Sequence, residues 1–114
     1  MKYLSFLIKN KKRSGYFHIY EVILNMENKL ELVDVFATWC GPCRMMEPIL
    51  KSFGDKNPNV IITKIDSDEN PEICKKYGIR GVPTFILLQN DVEVWRKVGS
   101  ISESMLTEEI NKYV

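Results

Sequence analysis

Cys40 and Cys43 stand two residues apart, separated by Gly41 and Pro42, in the stretch DVFATWCGPCRMMEP that begins at Asp34. Two thiols at that spacing have three chemical uses: half of a metal site, a structural cross-link, or a pair that exchanges disulfides. A structural zinc site needs four ligands, and beyond this pair the chain offers only Cys74 and His18, neither in a second paired motif. A cross-link that closes so small a loop removes almost no chain entropy from the unfolded state. The pair makes better sense as a redox reagent.

Its position supplies the reactivity. A helix is expected to begin near Pro42, which puts Cys40 where unpaired N–H groups and the helix dipole favour a negative charge and lower a thiol pKa. Cys43 falls on the same face one turn deeper, within reach of the first sulfur and shielded from substrate. Gly41 permits the bend from strand to helix. Pro42 fixes φ in a first turn where its missing N–H costs nothing. Asp34, six residues before Cys40, is a carboxylate inside the apolar run LELVDVFA. Burial without a partner should raise its pKa. It is either a proton acceptor serving Cys43, the reading preferred here, or a core acid paired with Lys64 of the run VIITKI.

The elements that must hold these groups follow from the apolar pattern. LELVDVFA (Leu30 to Ala37), VIITKI (Val60 to Ile65) and TFILLQ (Thr84 to Gln89) are nearly continuous apolar runs, as expected of strands covered on both faces in the middle of a sheet. VEVWRKV (Val92 to Val98) alternates and follows TFILLQ across Asn90-Asp91, two residues that tolerate the positive φ of a tight hairpin. One antiparallel strand at the side of the sheet is therefore predicted.

Between the strands, Met45, Met46, Ile49, Leu50 and Phe53 mark a helix from Pro42 to a stop at Gly54, kinked by the internal Pro48. A short helix capped by Asn70 starts at Pro71 and ends at Gly78. A last one, Ser102 to Tyr113, carries Ile101, Met105, Leu106 and Ile110 as its stripe. A weaker helix, about Tyr20 to Lys29, and a short strand at YFHI (Tyr16 to Ile19) precede the first long run. Strands alternating with helices indicate an α/β domain, a central mixed sheet with helices on both faces.

The 114 residues suit one domain, with apolar residues at 45% and charged residues at 27%, the profile of a globular chain. Five of the 16 basic residues precede the first acid, Glu21, so the remainder is mildly acidic and offers no footprint for nucleic acid. Residues 1–15 read as a basic extension, with KNKKR expected to be a solvated tail. The apolar stretch Tyr3 to Ile8 is shorter than a secretory core region, and three cysteines do not suit a secreted disulfide framework. Cys74 is expected to be a small buried apolar residue rather than a redox group.

VDVFATWCGPCRMMEP resembles the active-site segment of the thioredoxin family, and KYGIRGVPTF (Lys75 to Phe85) resembles its cis-proline loop. The similarity runs from about Tyr16 to Val114 and includes KIDSDENPEI and KVGS. It implies the thioredoxin fold over 16–114 and a protein-disulfide reductase in which Cys40 attacks, Cys43 resolves, Asp34 is the buried acid and Lys64 its partner. Pro83 matches the cis-proline facing the disulfide. Trp39, Gly41, Pro42, Val82, Pro83 and Gly99 match the surface that holds an extended client segment.

The resemblance further implies a monomer with no bound cofactor, reduced by a flavin- and NADPH-dependent thioredoxin reductase in the cytoplasm, or in an organelle such as the mitochondrion if the basic N-terminus is a targeting element. Phe36 departs from the tryptophan common in the family, and Asn90-Asp91 from asparagine-glycine. Two other functions stay open: a disulfide oxidase or isomerase, disfavoured because such members more often carry histidine at the position of Pro42, and a redox-competent binding subunit of a larger complex.

Overall fold

β1 (Leu30–Phe36) lies at the centre of the sheet, parallel to β2 (Val60–Asp66) on one side and antiparallel to β3 (Thr84–Gln89) on the other, with β4 (Val92–Val98) antiparallel to β3. The computed structural model describes residues 28–114. The strand expected at Tyr16 to Ile19 and the helix expected from Tyr20 lie outside the described residues, save for Asn28 and Lys29, which lead as a turn and a coil residue into β1. β4 lies at the side of the sheet and pairs antiparallel with β3, as expected, but the order β2-β1-β3-β4 also sets β3 antiparallel to β1. β3, an inner strand, runs against both its neighbours, so β4 returns parallel to β1.

The alternation of side chains across β1 divides the core. Leu30 and Leu32 join Phe85 and Leu87 of β3 under α1 (Gly41–Lys56) and α3 (Glu103–Ile110), where Met46, Leu50, Phe53, Leu106 and Ile110 complete one cluster. Val33, Val35, Ile86 and Leu88 face the other way, toward Cys74 and Tyr77 of α2 (Pro71–Tyr77). Helices therefore cover both faces. Burial of these side chains at roughly 25 cal/mol per Å² is the main force holding α1 in place. Among the described residues no helix is long and apolar enough to cross a membrane.

Several local expectations need correction. α1 contains Pro48 and continues past the expected stop at Gly54 to Lys56. Gly54 is instead a point of close approach, because a Cβ there would stand 3.0 Å from Ile62 Cδ1 of β2. Met45 is 73% exposed and Met105 57%, so neither belongs to the buried stripe of its helix. Each is adjacent to a buried residue, Met46 or Leu106, and a step of one residue turns a side chain about 100° around the axis. β2 is an edge strand among the described residues, with Val60 its one fully buried side chain and Ile61 exposed.

The connections are fixed by polar contacts. Ser102 Oγ accepts from the Met105 N–H at 3.2 Å and starts α3, which tightens into a 3₁₀ turn at Asn111–Tyr113. Asn70 precedes α2 without capping it through its side chain, and Nδ2 donates instead to Asp66 O at 3.0 Å. Gly78 closes α2 at φ 65°, a left-handed conformation that suits glycine. Asn90 and Asp91 adopt φ 53° and 69° in the hairpin, and the Asn90 side chain accepts from Lys29 N.

Candidate active site

β1 delivers the chain to one end of the sheet at Phe36, and after a short turn Cys40 becomes the N-cap of α1. The Cys43 N–H, one of the amides that the first helical turn leaves unpaired, donates to Cys40 Sγ at 3.2 Å. The two sulfurs are joined as a disulfide, with Cα atoms 5.3 Å apart. On reduction the same amide and the helix dipole are aimed at the Cys40 thiolate. Pro42 occupies the first turn, and Gly41 leaves open space where a side chain would project. The expected difference in depth is absent at the residue level, since Cys40 and Cys43 are each 5% exposed. What separates them is bonding: Cys40 Sγ sits at the cap, and Cys43 supplies the amide.

The opposite wall comes from the loop between α2 and β3. Val82-Pro83 is a cis peptide, and Val82 O lies 3.8 Å from Cys40 Sγ. The Gly99 N–H donates to Pro83 O at 2.8 Å, and Thr84 Oγ1 donates to Gly81 O at 2.6 Å. Arg96 holds the other end of the loop by donating to Tyr77 O at 2.6 Å. Val82 also packs on the Ala37, Cys40 and Cys43 cluster. Trp39 is 67% exposed beside the disulfide, and its indole N–H donates to Asp68 Oδ2 at 2.9 Å. Asp68 escaped the sequence reading because nothing in the local pattern of SDEN links it to a tryptophan so distant in sequence.

Asp34 is buried on the strand face that carries α1, beside Phe85 of β3. Its Oδ1 has no hydrogen-bond partner. Burial pushes the carboxyl up to about 6, the Lys64 ammonium works against that rise, and the Glu47 carboxylate adds to it. Lys64 is the register partner of Asp34 across the parallel pair, but the two form no salt bridge. The lysine is half-exposed, and its Nζ lies 3.9 Å from Glu47 Oε1 of α1. Glu47 was not singled out from the sequence, though its spacing of four from Cys43 places both on one helical face. Among the described residues no three His, Cys, Asp or Glu side chains gather as a metal site.

A disulfide between two closely spaced cysteines at a helix start, an unpartnered buried acid on the strand beneath that helix, and a facing cis-proline loop define a thiol–disulfide oxidoreductase. The thioredoxin family profile matches residues 14–112. A thioredoxin of Chlamydia pneumoniae is 46% identical over 84 residues, covering 74% of this chain and 82% of that protein. The solved structure of a thioredoxin from Nicotiana alata superposes with a TM-score of 0.72 at 38% identity, over 89% of this chain and 87% of the other. That of Fasciola hepatica thioredoxin gives 0.72 at 34% identity, over 84% and 91%. The chain belongs to the thioredoxin family and is a protein-disulfide reductase whose redox group is the Cys40–Cys43 pair.

Proposed function

We propose that the pair divides its work by position, with Cys40 as nucleophile and Cys43 as resolving thiol. The Cys40 thiolate attacks one sulfur of a client disulfide, forms a mixed disulfide and releases the first client thiolate. Cys43 passes its proton to Asp34, attacks Cys40 Sγ and expels the second client thiolate. The client gains two electrons and leaves as a dithiol, while Cys40–Cys43 becomes the disulfide. The observation that carries this assignment is the Cys43 amide donating to Cys40 Sγ at the cap of α1, above a buried carboxylate with a free oxygen.

Trp39, Gly41, Pro42, Val82, Pro83 and Gly99 are read as the surface that receives an extended client segment, and Lys64 as a charge that moderates Asp34. Electrons come from NADPH through a flavin-dependent thioredoxin reductase, which regenerates the dithiol. The cytoplasm is the preferred compartment, because a dithiol reductase needs a poise that keeps it reduced, with an organelle reached through the basic residues 1–15 as the alternative. NADPH-coupled insulin reduction with added thioredoxin reductase tests the cycle. Turnover that disappears in Cys40→Ser supports it. Absence of turnover with both cysteines intact would favour a binding role.

A further inference from the structure

The charges around Asp34 form a line that ends at a residue outside the disulfide chemistry. From β1, Asp34 faces α1. From β2, Lys64 stands beside it in register. From α1, Glu47 reaches the lysine at 3.9 Å, while the neighbouring Lys51 is engaged with Asp55 at 3.7 Å. β3 contributes the uncharged Phe85. Glu31 belongs to the other face of β1, where its Oε2 accepts from Thr63 Oγ1 at 2.6 Å. Lys64 is therefore the cation paired in register with Asp34, and it stands between that buried carboxylate and the exposed Glu47, while Asp55, on the same recess, is taken by Lys51.

The choice observed is the exposed one. A lysine head carries three donors and is strongly hydrated, so it gains solvation by extending along its aliphatic stem to Glu47. The buried acid keeps an oxygen without a hydrogen bond. We infer that Glu47 is a positioning residue that holds the Lys64 ammonium at the solvent end of this line and leaves Asp34 open to accept the Cys43 proton. Without Glu47, the lysine keeps Asp34 as its register neighbour across the parallel pair. An ammonium drawn toward that carboxylate stabilises its ionised form and makes it a weaker base. The inference rests on the reading of Asp34 as the proton acceptor.

Two measurements on the full chain separate the inference from that reading. The first is a carboxyl ¹³C NMR titration of Asp34 in the oxidised protein, in wild type, Glu47→Gln, Lys64→Gln and the double variant. Glu47→Gln is expected to lower the Asp34 midpoint by on the order of half a pH unit. In the Lys64→Gln background the same change should shift it by less than half as much, since the lysine transmits the effect. An unchanged midpoint, or a shift undiminished without Lys64, overturns the inference. The second is the pH profile of single-turnover resolution of a mixed disulfide, whose acid limb should move with the midpoint in Glu47→Gln. A midpoint that moves while the limb stays put overturns the proton-acceptor reading instead.

Discussion

Replacing Asp34 by asparagine is expected to stabilise the oxidised protein, and to do so only where the carboxyl would be charged. The group ionises near 3.8 ordinarily and at about 6 in the fold, chiefly through burial. Below the lower value it is protonated in both states and has no effect on stability. Between the two, the unfolded chain has released a proton that the folded chain keeps, so stability falls as pH rises. Above the upper value the penalty is constant. A shift of about two units at about 1.4 kcal/mol each makes that penalty on the order of 3 kcal/mol.

The neutral amide has nearly the shape of the neutral acid, so Asp34→Asn should recover most of this at pH 7 and little of it at pH 4. Guanidinium denaturation of both oxidised proteins across that range reads the difference as a displaced midpoint at constant slope. A gain of equal size at pH 4 and pH 7, or no gain at pH 7, would refute burial of an unpartnered charge as the source of the raised pKa.

Cys43→Ser should accumulate mixed disulfides with client proteins while Cys40→Ser traps almost none, read by non-reducing electrophoresis and mass spectrometry; equal trapping would sink the assignment of nucleophile and resolver. Pro42→His should place a donor, and in its protonated form a positive charge, beside the Cys40 thiolate, stabilising the dithiol over the disulfide. Its potential in a glutathione titration should become less negative, with about 30 mV for each ~1.4 kcal/mol of stabilisation; an unchanged or more negative value would show that the helix start and the buried acid set the poise.

The redox pair was legible in the sequence because its geometry is local: Gly41-Pro42 between two cysteines at a strand-to-helix junction leaves few alternatives. The long apolar runs likewise announced β1, β2 and β3, since consecutive apolar residues are how a strand covered on both faces reads. Strand direction was not, because an apolar run reads the same whichever way it is laid, and β3 proved antiparallel to β1. Gly54 looked like a stop because the neighbour that a side chain there would press on, the Ile62 Cδ1 methyl, belongs to a different element. Met45 and Met105 misled because hydrophobicity alone cannot tell the centre of a helical stripe from its flank. Lys64 was paired with Asp34, but which carboxylate a long side chain meets depends on a rotamer and on the helix opposite, and the contact is with Glu47.

The antiparallel pairing of β1 with β3 has a bearing on what the core is for. Val35 lies opposite Thr84 and Asp34 opposite Phe85, so the turn bearing Cys40 and the loop ending at Pro83 emerge at the same end of the sheet. They arrive on strands of opposite direction with no short connection between them. Sliding one strand past the other by a single residue would displace the two loops by ~3.4 Å and turn alternate side chains to the wrong face. Asp34 would then exchange faces with its neighbours Val33 and Val35. Leu30, Leu32, Phe85 and Leu87, which fit only one alignment, therefore act as the gauge blocks of the active site: they touch no sulfur, yet they determine the gap between the disulfide and the loop that faces it.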